Sequence, residues 1–300
     1  MTRRLNLILA ILLLVIGVPA YWLLFDNRPG SAAPKPVSIA QLRQLAAALP
    51  GNRPTGVEIE TVATRDVPGT LFAAGTGLKQ RTIAVAAFRL AVPGGAPVII
   101  DTGLTRQQAL DMGIDAHNGA AQARVDRAIG TAGLVLLTHE HPDHIGGLSA
   151  RGETPAARLN AAQSATLRQM QGAAEDKAAT LPAAPFAAAP GVVVVPAPSH
   201  TPGSQIIFVQ LADGREFLFA GDIATLEASW KQIRARSRLV GDYLAPEDRP
   251  EVFAWLRTIA ALQRSAPGLI VVPGHDAEAF AGLISNGTLR AGFTSPPLRQ

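Results

Sequence analysis

The hydrophobic pattern divides the chain into three stretches. Residues 5–25 are almost continuously apolar, with Asn6 the main interruption, Arg3 and Arg4 in front and Asp26 behind. A helix of about 20 residues crosses a hydrocarbon core of ~30 Å. The positive end is expected to stay in the cytoplasm, so the rest of the chain is exported to the periplasmic or extracellular side. A cleaved signal peptide is the competing reading, with Val18-Pro19-Ala20 as a small-residue site and a secreted product. The apolar run is long for a signal core and continues through residues 21–25, which favours a retained anchor. Residues 27–37 are rich in Pro, Gly, Ser and Ala and read as a linker. Residues 38–49 place Ile39, Leu42, Leu45, Ala46 and Leu49 at helical spacing behind a Ser38/Gln41 capping-box pattern. They predict a short amphipathic helix that packs either on the domain or on the membrane.

From residue 56 the period changes. Val57, Ile59, Thr61 and Ala63 alternate with other positions as in a strand. Residues 81–92 and 97–100 predict a hairpin across Pro93-Gly94-Gly95. Helical spacing marks 105–112, 119–129 and 160–170; short apolar runs at 134–137, 192–195 and 269–272 read as buried strands. Asp213-Gly214 between 205–211 and 216–219 is a strong hairpin signal. Pro250 opens a helix to residue 263, with Asp248 as cap and Val252, Phe253, Leu256, Ile259, Ala260 and Leu262 as its buried stripe. The Ala- and Pro-rich stretch 181–190 reads as irregular surface. The expected organisation is an anchor or signal over 1–26, a linker with a short helix over 27–55, and one mixed α/β domain over 56–300.

Composition narrows the chemistry. There is no cysteine, which excludes disulfides, thiolate metal ligands and a lipoprotein anchor. The net charge of +4 comes without a dense Lys/Arg run, so no nucleic-acid partner is expected. Three of the six histidines fall in Thr138-His139-Glu140-His141-Pro142-Asp143-His144, at the end of a strand-like run. Imidazole nitrogens and a carboxylate aimed from one loop suit a borderline cation such as zinc. Further ligands are sought where other strand-like runs end: His200, Asp222 and His275 each follow one. Strand ends of a sheet line up along one edge, so these groups can converge. His117 is left over and reads as an exposed loop residue.

H-x-H-x-D-H, then His200, Gly221-Asp222 and Gly274-His275, resembles the metallo-β-lactamase-fold metallohydrolase superfamily. Ile99-Ile100-Asp101-Thr102-Gly103 is similar to its first motif. The resemblance covers the chain from about residue 56 onward. It implies a four-layer αββα sandwich and two divalent ions, zinc by default with iron or manganese as alternatives. It implies that His139, His141 and His200 hold one ion, that Asp143, His144 and His275 hold the other, and that Asp222 bridges them. Two such ions can share a hydroxide, so no Ser or Cys nucleophile is needed. Asp143 is then also expected to pass a proton to the leaving group, and Asp101 to orient metal ligands, beside its plain role as a turn cap.

The resemblance implies a small-molecule ester, lactone or thiolester as substrate. True metallo-β-lactamases generally lack the bridging Asp and several use a Cys, which disfavours a β-lactam. Acyl-homoserine lactonases carry a Tyr three residues beyond the bridging Asp, where this chain has Thr225; its tyrosines are Tyr21 and Tyr243. Phosphodiester hydrolysis is a variant of the same chemistry, and a membrane-tethered binding or sensor module without turnover is the alternative of a different class. Trp230, Lys231, Arg234, Arg236 and Arg238 follow Asp222 and either edge the pocket or form a solvated basic helix face.

Overall fold

In the computed structural model the described residues are 3–152, 154–172 and 181–293. One sheet has the order β11 (Arg290–Ala291), β1 (Gly56–Pro68), β2 (Gln80–Ala91), β3 (Val98–Ile100), β5 (Leu134–Leu136), with the short β4 (Ala116–His117) on β1. The other has the order β10 (Leu269–Val272), β9 (Glu216–Phe219), β8 (Gln205–Gln210), β7 (Val192–Pro196), β6 (Phe186–Ala189). Alternation on β1 and β2 turns Val57, Ile59, Ala86 and Phe88 toward Val194, Ile207, Phe217 and Phe219 of the second sheet, making the central layer of core. The opposite face of the first sheet is covered by helices Gly119–Gly130 and Pro142–Ser149 through Val125, Ile129, Ile145 and Leu148. The opposite face of the second is covered by helix Arg249–Ser265 through Phe253, Leu256 and Ile259. The architecture is the αββα sandwich, with an apolar helix at the N-terminus.

That first helix, Arg3–Leu24, has 22 residues and leaves its apolar side chains exposed. At 1.5 Å per residue it is about 33 Å long, enough to span a bilayer core.

Two expectations are corrected, and one alternative that the sequence leaves open is decided. Residues 27–37 are not a free linker. Arg257 donates to the carbonyls of Gly30 and Ala32, and Lys35 pairs with Glu251, so the stretch is strapped along helix Arg249–Ser265. Its composition hides this, because the hydrogen bonds come from the other partner's side chains. The helix Ile39–Ala46 packs on the domain, with Leu42 and Ala46 fully buried and Ser38 accepting from the Gln41 backbone. Within 181–190, residues Phe186–Ala189 form the edge strand β6, paired with β7 across Pro190-Gly191. Alanine has low strand propensity, and pairing to a Val-rich neighbour overrides it. The helix Ala277–Ser285, capped by Asp276, has no counterpart in the expected elements.

Polar groups inside β1 tie the layers together. Glu60 accepts two hydrogen bonds from Arg124, both 2.8 Å, and one from the Phe293 backbone. Burial pushes the Glu60 carboxyl up, but the Arg124 and Phe293 hydrogen bonds outweigh it and hold the group below its ordinary value. A carboxyl depressed on folding contributes stability above its unfolded pKa, and that contribution is lost as pH falls through the folded value. Discounted for the half-exposed Arg124, Glu60→Gln is expected to lower Tm by about 2–4 °C at pH 7. The difference should vanish in acid. A difference in Tm that is the same at pH 2.5 as at pH 7 contradicts this account.

Candidate metal centre

The candidate ligands all leave the C-terminal ends of strands. β3 and β5 run parallel, as do β9 and β10. β7 and β9 are both antiparallel to β8 and so point the same way. The loops carrying Asp101, His139 to His144, His200, Asp222 and His275 therefore meet at one edge of the sandwich.

Local sequence makes the approach possible. Pro142 and Asp143 open helix Pro142–Ser149 directly after His141, where a fixed φ and an acidic side chain both suit a helix start. Gly146 and Gly147 press this helix against the backbone of Thr102, Gly103 and Leu104; a Cβ on either would overlap it. Thr102 can then donate to the His144 carbonyl at 2.8 Å. Asp101 sits at φ +57°, a left-handed conformation that Asp tolerates better than most residues. Gly274 lies against Asp222 and Gly221, where a Cβ would collide with the Asp222 carboxylate.

The side chains form two groups. His139 Nε2 and His200 Nε2 each stand 3.0 Å from His141 Nδ1. His144 Nε2 stands 3.1 Å from His275 Nε2, and Asp143 Oδ2 is 3.2 Å from His275 Nε2. Asp222 lies between them. Its Oδ2 faces His139 and His200 at 3.8 and 3.7 Å, and its Oδ1 faces His275 and His144 at 3.0 and 3.7 Å. Donor atoms held about 2.1 Å from one tetrahedral cation lie roughly 3.4 Å from one another. Both groups have that spacing, and Asp222 Oδ1, fully buried, has no hydrogen-bond donor. Each group could hold a cation.

Electrostatics agree. Burial pushes His139 and His200 well below the ordinary histidine value, which leaves neutral imidazoles with a free lone pair. Burial pushes His275 the same way, but Asp222 and Asp143 outweigh it and hold it well above that value. For Asp222 burial opposes ionisation, but His275 and Arg236 hold its carboxyl well below the usual range. The pocket thus favours positive charge between Asp143 and Asp222, which a divalent cation supplies more fully than an imidazolium proton.

The other nitrogen of three imidazoles is also held. Asp101 Oδ2 is 2.9 Å from His144 Nδ1, Glu247 Oε2 is 3.0 Å from His200 Nδ1, and the Ala84 carbonyl is 2.9 Å from His275 Nδ1. Such partners fix which ring nitrogen carries the proton. Asp101 also accepts from the Thr138 backbone and hydroxyl. Glu140 turns away from the cluster, accepting from the Thr201 hydroxyl and the Gly203 backbone and so bracing the His200 loop. Burial pushes the Glu247 carboxyl up to about 7.

Sequence reasoning missed Glu247; of its two readings of the basic stretch, Arg236 fits the pocket edge and the helix face does not hold. Arg234, Arg236 and Arg238 are not on a helix, which ends at Lys231. Arg236 is 5% exposed, paired with Asp222 and bonded to Thr225 Oγ1 at 3.2 Å. Arg234 bonds the Ala74 carbonyl, and Arg238 bonds Asp26 and Asp242. Trp230 is buried in the core, while Lys231 pairs with Glu227 on the surface. His117 sits on β4 with Nε2 3.1 Å from the Leu104 carbonyl, outside the cluster. No signal in the chain distinguishes Glu247 from other glutamates; its contact with His200 is purely tertiary.

A cavity of about 270 Å³ opens onto His141, Asp143, Asp222 and His275. Its remaining wall is mostly apolar, with Phe72, Ile83, Met112, Ile114 and Val240 beside Arg65 and Arg236. A larger depression of about 530 Å³, around Glu227, Lys231 and Asp276, touches none of the candidate ligands.

The family described as beta-lactamase superfamily domain matches residues 97–273. No curated protein matches the chain. Among solved structures, an N-acyl homoserine lactone hydrolase with the product N-hexanoyl-L-homoserine at its catalytic metal centre is similar at 16% identity and TM-score 0.61, over 77% of this chain and 96% of that one. A quorum-quenching N-acyl homoserine lactone lactonase is similar at 16% identity and TM-score 0.60, over 76% and 95%. A probable metal-dependent hydrolase from Staphylococcus aureus is similar at 16% identity and TM-score 0.55, over 75% and 91%. At these identities the structural likeness concerns the fold. The family match spans more than half of the chain and contains every candidate ligand but His275, so the protein belongs to the metallo-β-lactamase superfamily of metallohydrolases.

Proposed function

We propose that this protein hydrolyses a small-molecule ester, lactone or thiolester with two divalent metal ions, zinc by default. One ion is assigned to His139, His141 and His200, the other to Asp143, His144 and His275, and Asp222 is shared. The observation that carries the reading is the pair of ligand groups meeting at Asp222 on the floor of an apolar cavity. Bound there, the ions would supply Lewis acidity and activate water at neutral pH. The protein's own part is to bind, orient and move protons. Asp143, kept ionised by His144 and His275 despite its burial, can take up a proton at a carboxylate oxygen and return it to the leaving group. Phe72, Ile83, Met112 and Val240 exclude bulk water and accept an apolar substituent, and Arg236 offers a cation beside Asp222. We further propose that Arg3–Leu24 is a retained membrane anchor and that residues 56–300 form the catalytic domain. Its last seven residues, 294–300, lie outside the described ones.

The test is to purify the full chain in detergent, strip metal with a chelator, and assay p-nitrophenyl esters, γ- and δ-lactones, thiolesters, nitrocefin and bis-p-nitrophenyl phosphate. Activity on an ester, lactone or thiolester should fall by at least about a hundredfold on stripping and return with zinc, iron or manganese. Turnover indifferent to chelation contradicts the metal mechanism. Preference for nitrocefin or the phosphodiester contradicts the substrate class.

A further inference from the structure

The end of the apolar helix is not loosely tethered to the catalytic domain. The Thr70 hydroxyl donates to the Leu24 carbonyl at 2.5 Å. Asn27 bonds the Ile233 carbonyl at 2.9 Å and the Ala235 backbone at 3.1 Å. Asp26 is buried, bonded through its carboxylate to Arg28 and Arg238 and through its carbonyl to Arg249. The Arg238 guanidinium also lies over the Trp22 ring, 5.0 Å from its centroid. The chain therefore passes from the helix into the domain within about two residues, with no slack.

The segments that grip the helix are also walls of the candidate active site. Thr70 belongs to the stretch that supplies Phe72, and Ile233, Ala235 and Arg238 flank Arg236 and Val240. Backbone bonds join the two stretches, Ala74 to Ala235 and Ser237 to Leu71. Next to these walls, large apolar side chains face solvent: Leu78 is 61% exposed, Tyr243 60% and Leu244 71%. Tyr243 and Leu244 lie between Val240 and Ala245, both of which line the cavity. On the helix itself, exposed Tyr21 and half-exposed Trp22 stand at the domain end, where aromatic side chains mark a membrane–water boundary. Arg28, just past the helix, and Lys79, next to Leu78 in the chain, are exposed and suit lipid headgroup phosphates.

We propose that the mouth of the active-site cavity faces the bilayer surface, with Leu78, Tyr243 and Leu244 dipping into the interface, and that the substrate is a membrane-dissolved amphiphile. Its acyl or aromatic tail enters past the apolar rim and its ester, lactone or thiolester carbonyl reaches the metal centre. The inference rests on the retained anchor and on the hydrolase reading, and two experiments separate them.

The absence of cysteine makes single labels unambiguous. Leu244→Cys places a label at the rim. Asp213→Cys places one in the turn before β9, at the end of that strand remote from Asp222. Each full-length variant carries a polarity-sensitive nitrobenzoxadiazole dye and is reconstituted into phosphatidylcholine–phosphatidylglycerol vesicles. The Leu244 dye should shift to the blue and be quenched about twofold or more by doxyl-labelled lipid, and the Asp213 dye should do neither. Equal, water-like emission from both overturns the orientation. A blue shift at Leu244 without lipid quenching also overturns it and points to a second copy of the chain on that face. These results do not depend on turnover.

The second experiment compares p-nitrophenyl butyrate in solution with p-nitrophenyl palmitate in vesicles, using the Tyr243→Ser/Leu244→Ser double variant. kcat/KM on the embedded ester should fall about tenfold with the soluble ester unchanged. Equal effects on both esters overturn the membrane route. Hydrolysis of neither, with the label result as expected, overturns the hydrolase reading and the substrate class built on it.

Discussion

Asp222→Ala is expected to abolish metal retention and turnover together. Asp222 faces both ligand groups, with one carboxylate oxygen toward each. Its removal leaves buried imidazoles and the Arg236 guanidinium around a cavity without their shared counter-charge. Cation affinity then falls for electrostatic as well as coordination reasons. Turnover should drop by at least about a thousandfold, a loss of ~4 kcal/mol of transition-state stabilisation. The fold should survive, because the sandwich core is independent of this residue. Elemental analysis and kinetics on one preparation check the prediction. Normal metal content with full activity removes Asp222 from the bridging role.

Asp101→Asn gives the second largest effect and isolates orientation from coordination. Asp101 belongs to neither ligand group but bonds the His144 ring nitrogen that faces away from its group, together with the backbone N–H and hydroxyl of Thr138. Asn tolerates the left-handed backbone at this position, so the loop keeps its path. What changes is the charge and acceptor strength behind His144. Loss of such a partner typically costs about 10–100-fold in metal affinity or activity. Competition with a chelating dye should show this weakening at the group containing His144, with little change in Tm. Unchanged affinity would mean that Thr138 alone fixes the ring. Asp101→Val, by contrast, should also destabilise the fold, because a β-branched residue is strained at φ +57°.

Much of the candidate site could be read in the chain because its candidate ligands come from short loops after buried strands. A strand of valines and isoleucines announces itself by composition, and a histidine or aspartate just beyond it has few reasons to be there. His139, His141, His200 and His275 were legible in this way, and strand direction brings them to one edge. Groups that act from elsewhere were not legible. Glu247 precedes a helix cap, and nothing local marks it as the partner of His200. Arg236 sits among other basic residues, and only its tertiary contact with Asp222 separates it from Lys231 on the surface. Residues 27–37 looked unstructured because their hydrogen bonds are supplied by Arg257 and Lys35's partners on a distant helix. The edge strand β6 was hidden for a related reason: alanines become a strand when a valine-rich neighbour supplies the ladder.

The most direct measurement is metal stoichiometry on the intact chain, purified in detergent without chelator and assayed by elemental analysis beside His139→Ala and His275→Ala. The account predicts about two divalent ions per chain in the parent and about one in each variant, since each histidine belongs to a different group. A folded parent protein that takes up no more than one ion after supplementation, or variants that keep two, would contradict the shared two-ion centre.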